Sequence, residues 1–493
     1  MRGVVAAGHA VTADAGAEVL RAGGNAVDAA LAAMFASFVA EPMLTGLGAG
    51  GYMLVAPPGQ APVLLDFFVE APGRGLAPDA PHAPLRSIDV DFGDAVQVFN
   101  IGAAAAGPYG TVSGAWTAAE RFGRLPLAEL IGPAVALARG GVEVTPQQAY
   151  LFEILHPVTD ATPEARALFM PAGHPPQVGE VHRDPALAGA LERLAAEGPA
   201  PFYSGDVADA VCAWVAERGG LLTLADPAAY ATAARTPVRV SYRGQAVLTN
   251  PPPSAGGILL AHALAALDRA PAPPPVAAIV AAMAAAQAER TQEFLAGLPD
   301  PGFLERFYAS RLGATTHISA VDADGWACAV TCTNGEGCGE VVPGTGIHLN
   351  NMMGEQDLSP FGFHTHPPGR RLPSMMAPTM VLEAGTGRPR LVLGSAGSNR
   401  IRSAILQVVI GVLDHGLDVQ AAIDAPRVHL EDGITYVEPG VDIAGLESDR
   451  HALVRFSARN LFFGGAQAVQ RDPGGGALSG GGDPRRGGAV AVA

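Results

Sequence analysis

There is no lysine in the chain: all 31 basic side chains among its 493 residues are arginine. That absence removes several chemistries. Without lysine there is no Schiff base to pyridoxal phosphate or to a carbonyl substrate. There is no G-x-x-x-x-G-K-[ST] phosphate loop, no Ser-Lys dyad and no protein-kinase lysine. Ala, Gly, Pro and Arg are all abundant, which points to gene base composition as the cause. Cysteine is scarce too. Four residues, Cys212, Cys328, Cys332 and Cys338, are too few for a disulfide scaffold. The C-x3-C-x5-C spacing of the last three lacks the pairing of a zinc site, so buried thiols and no metal are expected.

Positive charge is in deficit. Against 47 acidic side chains the net charge is -16, which repels phosphate backbones and anionic lipid and excludes nucleic acid and membrane surfaces as partners. No run of about 18 apolar residues is free of glycine and charge, so no membrane span is expected. The opening MRGVVAAGHAVTADAG has no h-region of a secretion signal, and a cytoplasmic address follows as the expectation. Charged residues make up only 16% of the chain and hydrophobic ones 49%, enough for a large core. At roughly 150 residues per domain the length allows about three domains or one large α/β unit.

The pattern along the chain predicts a helix over 12–22 capped by Thr12 and stopped by Gly23 and Gly24. A second, nearly all apolar and so buried, is predicted over 26–39 with Asn25 as its cap. Strands are predicted at YMLVA (52–56) and over 62–68, a helical stretch over 115–230, and strands within 237–250. A helix is expected over 257–267. HISAVDADGWACAVTCT reads as two strands about an Asp-Ala-Asp-Gly turn. Strands at 379–383 and 390–394, a helix over 401–414 and a glycine-rich loop ending in a short strand complete the chain. The first two thirds read as helix-rich and the last third as strand-rich.

Three motifs invite chemistry. GLGAGG (46–51) matches G-x-G-x-x-G through Gly46, Gly48 and Gly51, but a helix precedes it and a strand follows, the reverse of a dinucleotide site. A tight helix-to-strand connection is the better reading, and no cofactor is expected. His364-x-His366, with His348 upstream, lies in a proline-rich segment without a useful acid and reads as a surface loop. GATTHISAVDADG (313–325) opens a strand with two threonines. A threonine hydroxyl needs an adjacent base to be a nucleophile, and an N-terminal threonine supplies one through its own α-amine. On its own, Thr-Thr at a strand start is ordinary β-propensity.

This last segment resembles the processing site of the γ-glutamyltranspeptidase family of N-terminal-nucleophile hydrolases. AGHAVTADAGAEVLRAGGNAVDAALAA, EPMLTGLGAGGYMLV, PFYSGDVADAV and YRGQAVLTNPPPSAGG resemble large-subunit segments of that family. HLNNMM, PSMMAPT, GSAGSNRI and GDPRRGG resemble its small-subunit segments, all in family order along almost the whole chain. The resemblance implies a four-layer αββα sandwich and a precursor that cuts itself between Ala314 and Thr315. Residues 1–314 would form the large-subunit region and 315–493 the small one, and the two would associate as a heterodimer. Thr315 is then nucleophile and base, Thr333 the threonine that bonds it, and the backbone N–H groups of Gly397 and Ser398 the oxyanion hole. The family usually has glycine at both of those positions. Losing one such donor costs about 3 kcal/mol of transition-state stabilisation.

The implied substrate is a small γ-glutamyl or other acyl-amide, with water or an amine as acceptor. Here the sequence departs from the family. The D-[FY]-R-E-x-A-P segment reads Asp66-Phe67-Phe68-Val69-Glu70-Ala71-Pro72, so Phe68 stands where the arginine binds the glutamyl carboxylate. Glu355 stands for the acid that binds the α-amine, Met352 for a preceding Gln, and Pro373 for one of two serines, of which Ser374 remains. Asn334 aligns with the family's asparagine. A phenylalanine cannot pair with a carboxylate. Either the acyl pocket has shifted toward less anionic groups, or another arginine such as Arg370 or Arg371 does the same work. Three readings follow: a γ-glutamyltransferase-like hydrolase, an acylase on a secondary-metabolite or β-lactam-type amide, and an unprocessed scaffold.

Overall fold

A computed structural model describes residues 1–91, 96–289, 298, 316–359, 362–446 and 452–493. Ala314 and Thr315 lie outside the described residues.

The fold is mixed α/β, built on two antiparallel sheets. The first has seven strands in the order Ala489–Val492, Gly3–Ala7, Thr316–Asp322, Ala327–Thr333, Gly50–Ala56, Val63–Phe67 and Ala233–Arg235. The second has six: Leu478–Gly482, Gly465–Arg471, Pro389–Ala396, Thr379–Leu382, Gln245–Thr249 and Val238–Tyr242. Each sheet contains strands from both sides of position 315, interleaved in the first and in two blocks in the second, so neither region buries its strands without the other. Thr316–Asp322 packs against Pro389–Ala396 and Gly465–Arg471 of the opposite sheet. The helices Ala10–Arg21 and Ala26–Ala40 lie against the first sheet, and Gly256–Asp268 and Arg400–Leu413 against the second.

Strand alternation sorts the side chains of the central hairpin. Ile318, Ala320, Cys328, Val330 and Cys332 join one hydrophobic cluster with the Ala26–Ala40 helix. That helix is buried along its whole length, and its many alanines let it lie close to the sheet. The odd-numbered positions face the second sheet. There His317 is held by Thr331 Oγ1 at 2.7 Å and Ser319 Oγ at 2.9 Å, and burial pushes its pKa down to about 3. It is a neutral, fully bonded core histidine. The fit is close at Gly394, where an added Cβ would stand 2.3 Å from His317 Nδ1.

The Asn25 cap is present as a capping box with Asp28. The first helix differs from expectation: it begins at Ala10, and its cap is His9, whose Nδ1 accepts from Val11 N–H at 3.3 Å. Thr12 is inside the helix and its hydroxyl turns inward to a buried carboxylate. All four cysteines are buried and free, as expected. The GLGAGG segment does join a helix to a strand. Its glycines are required by close backbone approach: an added Cβ at Gly48 would lie 2.2 Å from His348 O, and one at Gly51 2.4 Å from Thr331 O. The three histidines do not converge. His348 packs edge-on against Phe169, while His364 lies against His82 with ring centroids 4.2 Å apart. No described helix is long and apolar enough to cross a membrane.

Candidate active site

The central hairpin delivers the first functional side chains. Thr316 pairs with Cys332, so Thr333 is the next position along the ladder. Thr333 is buried, and its Oγ1 accepts from Gly335 N–H at 2.7 Å. The chain then folds back as a tight loop. Asn334 N–H donates to Leu44 O and Asn334 O accepts from Asn351 N–H at 3.0 Å. The Asn334 side-chain amide is wholly buried, and neither its Oδ1 nor its Nδ2 has a partner among the described residues.

Glu355 reaches the same loop. A Cβ placed on Gly335, where φ is +67°, would sit 2.5 Å from Glu355 Oε1 and 2.0 Å from Asn351 Oδ1. Asn350 braces the region, donating from Nδ2 to Gly48 O and Gly107 O, each at 2.9 Å.

Gly397 and Ser398 form the turn between the strand Pro389–Ala396 and the helix Arg400–Leu413. Both have left-handed backbones, with φ +111° and +55°. At Gly397 an added Cβ would come within 2.9 Å of Gly464 Cα. Ser398 lies on a cleft of about 310 Å³ that Glu355 also lines. Ser374 sits apart from this cleft: its O accepts from Ala255 N–H at 2.7 Å and Ser254 Oγ at 2.9 Å, stitching its segment to the Gly256–Asp268 helix.

Phe68 is 1% exposed and stacks on Tyr52 with centroids 5.6 Å apart. It belongs to the same hydrophobic cluster as Met352. Two positions at which the resemblance implies polar substrate contacts are therefore part of one apolar core. Arg371 is engaged elsewhere. It donates to Phe68 O and Tyr230 OH, and pairs with Asp66 at 3.6 Å and Glu70 at 3.4 Å.

The gamma-glutamyltranspeptidase sequence profile matches residues 12–306 and 300–493. The chain belongs to the gamma-glutamyltranspeptidase family. It is an enzyme of the hydrolase/acyltransferase kind found there. An acylase ACY 1 proenzyme of Pseudomonas sp. (strain SE83) is 34% identical, over 96% of this chain and 90% of that protein. A glutathione hydrolase proenzyme of Pseudomonas aeruginosa is 33% identical, over 98% and 93%. The crystal structure of cephalosporin acylase from Bacillus halodurans matches with a TM-score of 0.82 at 28% identity, covering 100% of this chain and 96% of that one.

Beside the family's motif residues lies a buried charge network that sequence reasoning did not single out. Glu41, in the EPM segment, accepts from Thr316 Oγ1 at 2.9 Å and from Thr12 Oγ1 at 3.4 Å. Burial pushes its pKa up to about 7. Glu336 is likewise pushed up to about 7 by burial. Arg486, of the GDPRRGG motif, is pushed down to about 10 by burial and by the charge of Arg400. One Arg486 Nη lies 3.3 Å from where a Gly397 Cβ would be. Arg485, its neighbour, has a different duty: it pairs with Glu438 and Asp483 inside the core. The sequence signal was a charged residue inside an otherwise apolar or glycine-rich motif.

Proposed function

We propose that this protein is a self-processing amidohydrolase or acyltransferase whose nucleophile is Thr315, in the four-layer αββα arrangement of N-terminal-nucleophile hydrolases. Thr315 Oγ attacks the Ala314 carbonyl and the peptide nitrogen leaves, which turns the amide into an ester. That nitrogen is now the Thr315 α-amine, and water then opens the ester, releasing the Ala314 carboxylate and the Thr315 hydroxyl. In turnover that amine takes the hydroxyl proton as Oγ attacks a substrate amide. The acyl group stays on Oγ, the proton passes to the departing amine, and water or a second amine then removes the acyl group.

The observation that carries this reading is the ladder register. Thr316, the first residue of its strand and the neighbour of Thr315 in sequence, pairs with Cys332 in the sheet centre, one position before the buried Thr333. The Gly397–Ser398 turn, with backbones that suit the family's usual glycines, supports the oxyanion role. The Asn334 amide and Glu355 support a substrate site at the loop.

For the acyl group, burial of Phe68 in the core and the engagement of Arg371 with Asp66 and Glu70 favour an acylase with altered acyl specificity over a γ-glutamyl enzyme. Denaturing electrophoresis tests the core of the reading. The wild-type chain of 50.1 kDa should give two bands, the smaller one beginning Thr-Thr-His-Ile, and Thr315→Ala should give one. An uncut wild-type band, or a cut Thr315→Ala chain, overturns it.

A further inference from the structure

The cleft beside Ser398 has a chemical character of its own. It lies between the strand Val96–Ile101 and the hairpin of Val428–Glu431 and Ile434–Val437, and has room for a group larger than a glutamyl side chain, at about 310 Å³. One wall is aromatic. Tyr436 and Phe462 meet at 4.9 Å between centroids, with Phe456 stacked behind Phe462 at 5.0 Å. The other wall is the strand segment Val96, Gln97, Val98 and Phe99, of which Val96 and Val98 are 61% and 48% exposed. These two valines alternate along one strand and so share a face.

The charged side chains that line the cleft are of one sign. Among the described residues lining the cleft, Glu355, Glu431 and Asp432 are acidic and none is basic. Val96 and Val98 stand directly opposite Asp91 and Asp89 on the paired strand, and cross-strand partners share a face. Glu431 is a balanced charge. Burial works against its ionisation, yet the hydrogen bond from His429 and the charges of Arg400 and Arg402 outweigh it and hold its pKa below the usual carboxylate range. Asp432 is different: it occupies the hairpin turn at φ +48°, which an Asp before Gly tolerates, and stands exposed at the cleft rim. Arg400 is behind the wall, its guanidinium 4.7 Å from the Phe462 ring centroid, donating to Phe462 O and to Gln97 Oε1.

We propose that this cleft is a substrate subsite that takes an apolar group bearing a positive charge, its hydrocarbon face between Val96, Val98 and Tyr436 and its ammonium toward Asp432. A carboxylate in the same place meets only like charge at the rim, and the half-buried Tyr436 ring adds cation–π attraction for an ammonium. The inference rests on the proposed function only in treating Ser398 as part of the reaction centre.

The test needs no turnover. Binding of three probes that share a phenylethyl group, 2-phenylethylammonium, 2-phenylethanol and 3-phenylpropionate, is measured by calorimetry on the purified full-length protein at low ionic strength. The ammonium should bind about ten-fold more tightly than the carboxylate, with the alcohol between, and added salt should narrow the gap. Asp432→Asn should bring the ammonium to the alcohol's affinity, while Tyr436→Ala should weaken both. Equal or tighter binding of the carboxylate, no binding of any probe, or an unchanged order in Asp432→Asn overturns the proposal. A chain that processes at Thr315 but shows no charge preference refutes the subsite alone. A chain that shows the preference but never processes refutes the proposed function alone.

Discussion

Replacing Glu41 with glutamine should make the protein more stable at alkaline pH and leave it little changed in acid. Glu41 is buried, and its pKa is raised to about 7 from 4.5. The folded state therefore holds this proton more tightly than the unfolded chain does. Its stabilising contribution is complete below about pH 4.5, is lost as pH rises through the window from 4.5 to 7, and is gone above it. A shift of this size corresponds to about 3 kcal/mol. Glutamine does not titrate, and it keeps an oxygen for Thr316 Oγ1 and a polar group for Thr12, at a cost of about 1 kcal/mol in hydrogen bonding.

The stability difference between Glu41→Gln and its parent should accordingly rise by about 3 kcal/mol from pH 4 to pH 8. Glu336, with a pKa also pushed up to about 7, contributes its own slope to both proteins and drops out of the difference. Urea unfolding at a series of pH values is the assay, with both proteins carrying Thr315→Ala, which under the proposed mechanism leaves each a single polypeptide. Parallel pH profiles would falsify the reasoning: Glu41 would then titrate in the fold as it does in water.

Three further outcomes are expected. Arg371→Met should lower stability by about 3 kcal/mol, because the buried carboxylates of Asp66 and Glu70 lose a partner while Arg235 and Arg74 remain; a raised KM with unchanged thermal unfolding would mean instead that Arg371 binds substrate. Phe68→Arg, which restores the family's residue type, should bring no γ-glutamyl activity and should lose at least about 4 kcal/mol, since the guanidinium would enter a 1%-exposed position packed on Tyr52; γ-glutamyl-p-nitroanilide hydrolysis and soluble yield read both. Ser398→Gly should retain processing with stability unchanged or up by about 1 kcal/mol, whereas Ser398→Val, β-branched at φ +55°, should lose about 2 kcal/mol; equal unfolding temperatures for the two would refute this account.

Local features were legible where a local rule decides them. The Asn25 cap, the hairpin about Asp322-Ala323-Asp324-Gly325 and the reversed helix–strand order around GLGAGG all depend on residues within a few positions of one another. The Thr12 cap failed because His9 offers an acceptor one turn earlier and Thr12 is drawn to Glu41, 29 residues away. The strand Leu478–Gly482 was read as loop because Leu-Ser-Gly-Gly-Gly carries no β-propensity. It forms because only glycine fits there: a Cβ on Gly482 would stand 2.5 Å from Ala489 N, and one on Gly480 2.5 Å from a Val490 methyl.

The sequence by itself determined the chemistry that is closed to this protein and the order of its motifs. With no lysine, every amine available as a base is a chain terminus, and every fixed cation is an arginine. Those statements need no geometry. Tertiary structure alone decided what the arginines do. Arg371 lies 303 residues from Phe68, yet it bonds Phe68 O and two core carboxylates, while Arg485 and Arg486, adjacent in sequence, divide between a core ion cluster and the flank of the Gly397 turn. Glu41 meets Thr316 across 275 residues. A side chain's charge and shape are local properties, but its pKa and its partners are set by what the closed sheets press against it, and no spacing along the chain encodes that.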